Sequence, residues 1–162
     1  MTPALFLDRD GVVNVETNYV HKIEDFRFMG GIFELCDRFQ KAEYKIVVVT
    51  NQAGIARGYY GEDDFRKLTS WMIGRFLENG VTISGVYHCP HHPELTGDCD
   101  CRKPNPGMLL EARDDLDLDL PRSVLLGDKE SDLEAGRNAG LRLVGLIGGV
   151  DHPSKGWIQR RC

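Results

Sequence analysis

The sequence has little positive charge and no long hydrophobic run. Its 162 residues carry 20 Lys and Arg against 25 Asp and Glu, which gives a formal net charge of -5. This balance disfavours a nucleic-acid partner, because the phosphates would be repelled. The N-terminal sequence MTPALFLDRDG has only a short apolar stretch followed by acids. We therefore predict neither a signal peptide nor a membrane span, and we expect a cytoplasmic monomer without a membrane partner.

Internal repeats, low-complexity tracts and linkers are also absent. Apolar residues make up 41% and charged residues 28% of the chain, a composition typical of globular proteins. This length suits one core, so we expect a single domain over residues 1–162. The cysteines number five, and an odd count argues against a closed disulfide framework.

Strand and helix patterns alternate along the chain. Apolar runs predict strands at residues 4–8, 45–50, 82–88, 123–128 and 142–147. Helical spacing predicts helices at residues 31–42, 62–79, 107–116 and 131–139. Runs this continuous indicate strands buried on both faces, so the alternation predicts an α/β fold with a parallel sheet. In such sheets, ligands bind beyond the carboxyl ends of the strands.

Polar side chains suited to phosphoryl transfer follow these strands. Asp8 and Asp10, in DRDG, can divide nucleophilic attack and proton transfer between them. Thr50, in VTNQ, offers a hydroxyl to a phosphate oxygen, and Lys103 can neutralise the transferring phosphoryl group. Asp128, in GDKESD, faces the first two acids and completes an oxygen-rich magnesium site. Each motif alone fits a turn, a surface lysine or a helix N-cap, but their combination at strand ends favours catalysis.

A cluster of thiols and imidazoles occupies residues 89–101, which read CPHHPELTGDCDC. Three thiols and one imidazole can close a tetrahedral zinc site, so we predict Zn²⁺ bound by Cys89, His91, Cys99 and Cys101. His91 is preferred over His92 because Cys89 and His91 have the same two-residue spacing as the other pair. Four protein ligands leave no open position for a substrate, which indicates a structural role.

The motifs LFLDRDG and VVVTNQ, Lys103, and GDKESD resemble the four motifs of the haloacid-dehalogenase superfamily. The resemblance implies a Rossmann-like sheet with helices on both faces. It also implies an aspartyl-phosphate intermediate on Asp8, with Asp10 as general acid and base. Mg²⁺ would be held by the Asp8 carboxylate, the Asp10 backbone carbonyl and Asp128, and Thr50 and Lys103 would stabilise the phosphoryl group. The segments between these motifs are too short for a large cap, so we expect a capless enzyme.

Longer segments are similar to the D-glycero-D-manno-heptose 1,7-bisphosphate 7-phosphatases, namely FLDRDGVVN, NYVHKIEDF, VVVTNQAGIARGYY, YHCPHHP and CDCRKPNPGML. The resemblance implies removal of the 7-phosphate from a heptose bisphosphate, with a product used for lipopolysaccharide or other glycoconjugates. A second phosphate calls for additional cations, since guanidinium groups bind phosphate in a bidentate way. The expected substrate contacts, which include those cations, are Glu16, Thr17, Asn18, Tyr19, Asn51, Gln52, Ala53, Arg57, Arg102 and Lys129.

Three other functions compete with this interpretation. Histidinol-phosphate phosphatases resemble the chain in the length of the cysteine loop, although they read TNQDGLGT where this chain has TNQAGIARG. Glu16 is the candidate acid for their ammonium-bearing substrate. A phospho-acceptor receiver would carry its acceptor Asp on a middle strand, which here ends in Thr50 instead. A zinc-stabilised nucleic-acid module is disfavoured by the net charge and by the lack of basic or aromatic clusters.

Overall fold

The computed structural model describes residues 1–147 and the backbone of a further strand at 157–161, so Cys162 lies outside the described residues. The strands are β1 (Ala4–Leu7), β2 (Lys45–Asn51), β3 (Ile83–Cys89), β4 (Val124–Gly127), β5 (Leu143–Ile147) and β6 (Trp157–Arg161). They form one sheet in the order β3-β2-β1-β4-β5-β6. The first five strands are parallel, as predicted, and β6 pairs antiparallel with β5. The sequence pattern did not predict β6.

The helices alternate with the strands. They are α1 (Ile32–Lys41), α2 (Ala53–Ala56), α3 (Glu62–Glu78), α4 (Pro93–Thr96), α5 (Gly107–Leu116) and α6 (Glu130–Ala139). The four longer helices confirm the predicted ones to within one residue, whereas the single-turn helices α2 and α4 were not predicted. Helix α6 ends at Gly140, whose φ of 90° is the left-handed conformation that glycine adopts without strain. None of the helices in the described residues is long and apolar enough to cross a membrane.

Both faces of the sheet are covered by helices. Successive residues of a strand point to opposite faces, and along β1 Leu5 and Leu7 join one core while Ala4 and Phe6 join the other. The first core includes residues of α1 and α3, and the second includes residues of α5 and α6. This is the Rossmann-like arrangement implied by the motifs. Between β1 and β3, the described residues form loops, strand β2 and helices α1 to α3, without a separate cap.

The strand order positions the polar residues. Strand β1 lies between β2 and β4, and Leu7 pairs with both Val48 and Leu126. Asp8 follows directly, and its backbone N–H donates to the Leu126 carbonyl at 3.0 Å. The carboxyl ends of β1, β2 and β4 therefore meet at one edge of the sheet.

Candidate active site

Asp8 and Lys103 form a buried ion pair at this edge. Asp8 is 8% exposed and Lys103 is 5% exposed. Lys103 Nζ donates to Asp8 Oδ1 at 2.9 Å and to the Val49 carbonyl at 3.1 Å. It also lies 2.5 Å from Asp132 Oδ1. One ammonium group is thus shared by two buried carboxylates and anchors them to the end of β2.

The charges of this cluster shift its ionisation. Burial raises the pKa of Asp8 well above its usual value, the Lys103 charge opposes the rise, and the nearby Asp132 and Asp128 add to it. Burial likewise raises the pKa of Asp128. Burial acts to lower the pKa of Lys103, but the charges of Asp8 and Asp132 outweigh it and the pKa is raised. The site therefore keeps its lysine charged, while its carboxylates are short of positive charge.

The same carboxylates fit a divalent cation. Oxygen atoms of Asp8, Asp128 and Asp132 lie within 4.8 Å of one another. Asp128 Oδ1 is buried and has no hydrogen-bond partner within the described part of the chain. Gly11 has a φ of +91°, and a Cβ there would overlap the Asp128 carboxylate. An orphaned carboxylate oxygen beside other oxygen donors is the donor set that Mg²⁺ prefers.

Asp132 has a different task from Asp128. Its Oδ2 accepts the backbone N–H groups of Asp128 and Lys129, each at 3.1 Å, and its Oδ1 contacts Lys103. This caps the N-terminus of α6 and fixes the loop that carries Asp128. Asp132 belongs to the GDKESD motif, but nothing in that motif singled it out as the partner of the lysine.

Asp10 is surrounded by hydrogen-bond donors. Its Oδ1 accepts from Arg9 Nη2 and Asn14 Nδ2, both at 3.0 Å, and from Arg9 Nε at 3.2 Å. Its Oδ2 accepts from Gln52 Nε2 at 3.2 Å and from Arg9 Nη2 at 3.3 Å. Arg9 is 1% exposed and also donates to the Val20 carbonyl at 2.6 Å. Sequence reasoning missed Arg9 and Asn14, because their roles depend on contacts that the motifs do not show.

The end of β2 is tied to Lys103. Thr50 is buried, and its Oγ1 accepts from Gln52 Nε2 at 2.9 Å. Asn51 Oδ1 accepts the backbone N–H of Lys103 at 3.1 Å. These contacts bring Thr50 and Lys103, which are far apart in the sequence, into the same site as Asp8.

A cavity opens above these residues. Its inner part has a volume of about 60 Å³ and is lined by Asp8, Asp10 and Lys103, among other residues. It shares Asp10 and Lys103 with a wider cavity of about 490 Å³. The predicted substrate contacts that line the wider cavity are Glu16, Asn18, Tyr19, Asn51, Gln52, Ala53, Arg102 and Lys129.

Two predicted contacts lie elsewhere, and three cavity residues were not predicted. Among the described residues, Thr17 and Arg57 do not line the wider cavity. Thr17 lines a neighbouring groove, and Arg57 Nη2 lies 3.4 Å from His92 Nε2, toward the cysteine loop. Tyr60, Pro104 and Ser131 line the wider cavity although they were not among the predicted site residues.

The cysteine loop brings three sulfur atoms together. Cys99 Sγ lies 3.5 Å from Cys89 Sγ and 3.6 Å from Cys101 Sγ, and Cys89 and Cys101 are joined as a disulfide. In the described part of the chain, the group of ligand atoms within 4.8 Å comprises these three cysteines and does not include His91. Three of the four predicted zinc ligands therefore converge. A disulfide and a zinc site would use the same sulfur atoms and exclude each other.

The sequence matches known proteins along most of its length. The HAD-hydrolase-like family model matches residues 100–157. The chain is 54% identical over 149 residues to the D-glycero-alpha-D-manno-heptose-1,7-bisphosphate 7-phosphatase of Burkholderia mallei, covering 89% of this chain and 79% of that protein. It is 51% identical over 144 residues to the D-glycero-beta-D-manno-heptose-1,7-bisphosphate 7-phosphatase of Vibrio cholerae, covering 86% and 77%. The chain belongs to the heptose-1,7-bisphosphate 7-phosphatase family of HAD-like hydrolases.

Solved structures of this family agree with the fold. A putative HAD-like phosphatase from Mesorhizobium loti is 41% identical, with a TM-score of 0.86, covering 91% of this chain and 73% of that one. The D,D-heptose 1,7-bisphosphate phosphatase of B. bronchiseptica, complexed with magnesium and phosphate, is 31% identical, with a TM-score of 0.79, covering 86% and 77%. The predicted superfamily and family are therefore confirmed.

Proposed function

We propose that this chain removes the 7-phosphate of a D-glycero-D-manno-heptose 1,7-bisphosphate through a phospho-aspartate on Asp8. As a member of this family it is a phosphoric monoester hydrolase. One observation carries the catalytic assignment: Asp8 lies at a small cavity with its Oδ1 held by Lys103 Nζ at 2.9 Å. Lys103 and the backbone N–H of Arg9 hold that oxygen, which orients the carboxylate for attack on phosphorus.

The reaction then has two steps. In the first, an Asp8 oxygen attacks phosphorus, the bond between phosphorus and the sugar oxygen breaks, and Asp10 gives a proton to that oxygen. In the second, Asp10 takes a proton from water, which attacks the phospho-aspartate and releases inorganic phosphate. The Lys103 ammonium and the Thr50 hydroxyl offset the charge on the transferring group. Asp10 suits the proton-transfer task because it lines the cavity beside Asp8.

Asp8 and Asp128 would hold Mg²⁺, with the Asp10 backbone carbonyl as the third ligand implied by the motifs. The orphaned Asp128 Oδ1 supports this assignment, as does the B. bronchiseptica relative complexed with magnesium and phosphate. When bound, the cation offsets the repulsion between the Asp8 carboxylate and the substrate phosphate. The chain's own residues fix the two carboxylates in place before substrate arrives.

The lining of the wider cavity favours a bisphosphate substrate. Arg102 and Lys129 line it, so a second phosphate that is not transferred has two cations available. Histidinol phosphate would instead need an acid for its ammonium group, and Glu16 lines the same cavity. Burial, together with the Asp10 charge, raises the pKa of Glu16.

A substrate panel tests the assignment. We expect the highest kcat/KM for one of the two heptose 1,7-bisphosphate anomers, compared with histidinol phosphate and p-nitrophenyl phosphate. A higher kcat/KM for histidinol phosphate than for both anomers would reject the heptose bisphosphate as substrate and support only the assignment as a phosphatase. Asp8→Asn should abolish turnover while keeping the fold, and beryllium fluoride should occupy Asp8 in the wild type. Retained turnover in Asp8→Asn contradicts the nucleophile assignment.

Arg102→Ala separates binding of the second phosphate from the chemistry. We expect its KM to rise much more for the bisphosphate than for p-nitrophenyl phosphate, because only the bisphosphate carries the second dianion. Arg122→Ala is the matched control, since Arg122 lies just before β4, at the opposite edge of the sheet. Equal changes in KM for both substrates in Arg102→Ala would rule out this role.

We further propose that the cysteine loop binds one structural zinc ion within a single capless domain. The three converging sulfur atoms support the metal, and His91 is the proposed fourth ligand. The proposal requires Cys89 and Cys101 to bind zinc as thiolates instead of forming the disulfide. Asn105 Nδ2 donates to the Cys99 carbonyl at 2.7 Å, so this loop is tied to the segment that follows Lys103. A zinc ion there would stiffen the loop that presents Arg102 and Lys103 to the cavity.

A further inference from the structure

The side chain of Gln52 is fully engaged inside the protein. It is 2% exposed. Its Nε2 donates to Asp10 Oδ2 at 3.2 Å and to Thr50 Oγ1 at 2.9 Å, and its Oε1 accepts the hydroxyl of Tyr60. Both amide N–H bonds and the amide oxygen are thus used within the protein. This arrangement assigns Gln52 to holding Asp10 rather than to contacting substrate.

Tyr60 is held firmly at the other end of this chain of hydrogen bonds. It is 7% exposed, and a Cβ on Gly54 would overlap its ring, so the residue opposite must be glycine. The His21 ring stacks on it, with centroids 4.8 Å apart and planes 8° apart. Burial raises the pKa of Tyr60 to about 12, so its hydroxyl remains protonated at neutral pH.

The hydrogen bond donated by the Tyr60 hydroxyl favours one orientation of the Gln52 amide. A Tyr60 hydroxyl that donates selects the amide oxygen, and this turns Nε2 toward Asp10. If the amide were rotated by half a turn, its oxygen would face the Asp10 carboxylate and repel it. Asp10 Oδ1 is fixed independently by Arg9 and Asn14. Asp10 Oδ2 accepts from Gln52 Nε2 at 3.2 Å and from Arg9 Nη2 at 3.3 Å, so Gln52 supplies one of its two donors.

We propose that Tyr60 is a positioning residue for proton transfer by Asp10, acting through the Gln52 amide. The inference rests on the proposed role of Asp10 as general acid and base. Without the Tyr60 hydroxyl, the Gln52 amide oxygen loses its donor and the amide is held less firmly. Asp10 Oδ2 then keeps Arg9 as a donor, but its hydrogen bond from Gln52 weakens. Steps in which Asp10 must give a proton should then become slower. Phosphoryl transfer to Asp8 should keep its rate when the leaving group departs without a proton.

Tyr60→Phe tests this because it keeps the ring that packs against Gly54 and His21 and removes only the hydroxyl. Rapid-quench measurements with the full-length protein give the rate of phospho-aspartate formation from phenyl phosphate and from p-nitrophenyl phosphate, whose leaving group needs no proton. We expect the rate with phenyl phosphate to fall about tenfold. This is smaller than the roughly hundred- to ten-thousand-fold acceleration that general acid catalysis supplies, because Tyr60 acts only through Gln52. The rate with p-nitrophenyl phosphate should stay within about twofold, and hydrolysis of the intermediate should also slow.

Tyr59→Phe is the matched control. Tyr59 is an exposed neighbour whose ring contacts Tyr19, and its hydroxyl takes no part in the bonds to Asp10. It should keep wild-type rates with both aryl phosphates. Equal slowing with both leaving groups in Tyr60→Phe, or no slowing at all, overturns the inference, because a general loss of structure does not distinguish the leaving groups.

A second variant tests the route through Gln52. In Gln52→Leu the phenyl phosphate rate should fall at least as far, and adding Tyr60→Phe should slow it no further. Additive losses in the double variant overturn the proposed route. Asp10→Asn is the reference variant. If its rate of phospho-aspartate formation falls equally with both leaving groups, the roles of Asp10 and of Tyr60 are both rejected. If the rate loss in Asp10→Asn depends on the leaving group and the rate loss in Tyr60→Phe does not, the role of Asp10 stands and only the role of Tyr60 is rejected.

Discussion

Replacing Lys103 by Met removes the cation shared by two buried carboxylates. Methionine has a similar length and no charge, so the change isolates the ion pair from the packing. Lys103 Nζ lies 2.9 Å from Asp8 Oδ1 and 2.5 Å from Asp132 Oδ1, and all three residues are buried. The variant leaves both carboxylates without this partner, and the Val49 carbonyl loses a donor.

The structure sets the size of the effect. Removing one member of a buried ion pair costs about 3–5 kcal/mol, because the other charge stays buried without compensation. For a domain of this size, 1 kcal/mol corresponds to about 2–4 °C in Tm. We therefore expect Lys103→Met to lower Tm by about 6–20 °C in the absence of Mg²⁺.

The loss should depend on pH. The pKa of Asp8 is already raised by burial, and the Lys103 charge opposes that rise. A carboxyl group whose folded-state pKa is raised binds its proton more tightly in the folded chain. Its ionisation therefore costs stability as the pH rises from the unfolded pKa to the folded one. Removing Lys103 raises the folded pKa further, so the Tm difference from wild type should be largest in neutral buffer and smaller in acidic buffer.

Thermal unfolding followed by circular dichroism, with chelator present, measures the effect. Lys41→Met is the control, because Lys41 also pairs with an acid, Asp37 at 2.7 Å, but on the exposed surface of α1. Its Tm should change by no more than about 2 °C. A similarly small change in Lys103→Met, or a difference that grows as the pH falls, would refute the reasoning about the buried pair.

Three further changes probe other parts of the molecule. Mg²⁺ at a hundred times its Kd should stabilise the wild type by about 2.7 kcal/mol, or about 5–11 °C in Tm, and Asp128→Asn should lose that increase. Elemental analysis should find one zinc per chain, with Cys99→Ser lowering both zinc content and Tm; protein purified without chelators that lacks zinc contradicts this. Gly54→Ala should destabilise the fold, because the added Cβ would clash with the Tyr60 ring. Gly74→Ala is the control: its added Cβ meets nothing within 4 Å, so it should stabilise α3 by about 0.5–1 kcal/mol. Comparable unfolding midpoints for the two variants would count against the clash.

The sequence was sufficient to predict which side chains meet at the sheet edge. Asp8, Thr50 and Asp128 each end a strongly apolar run, and the parallel-sheet rule puts such ends on one side. The helix boundaries were predicted for a similar reason, since their apolar spacing and the stop at Gly140 are local features. These patterns depend on neighbours in the chain and need no knowledge of tertiary contacts.

The remaining features depend on contacts between distant segments. Arg9 reads as a solvated cation in DRDG, and its burial becomes visible only once the Val20 carbonyl and Asp10 surround it. Thr17 does not line the wider cavity. The next two residues, Asn18 and Tyr19, have positive φ values, and no periodic sequence pattern predicts such a backbone conformation. Strand β6 pairs antiparallel at the sheet edge, and its short segment carried no apolar run that would have identified it.

Asp8 and Asp10 are two residues apart, yet the fold gives them opposite surroundings. Asp8 lies among acids with Lys103 as its cation, so its carboxylate gains from a divalent ion. Asp10 accepts hydrogen bonds from Arg9, Asn14 and Gln52, side chains that come from two separate loops and the end of β1. Differently tuned carboxylates can divide nucleophilic and proton-transfer tasks. No cap closes over the described cavity, and the loops that we propose to select the substrate also hold Asp10. A change in those loops that alters substrate specificity should therefore alter proton transfer as well.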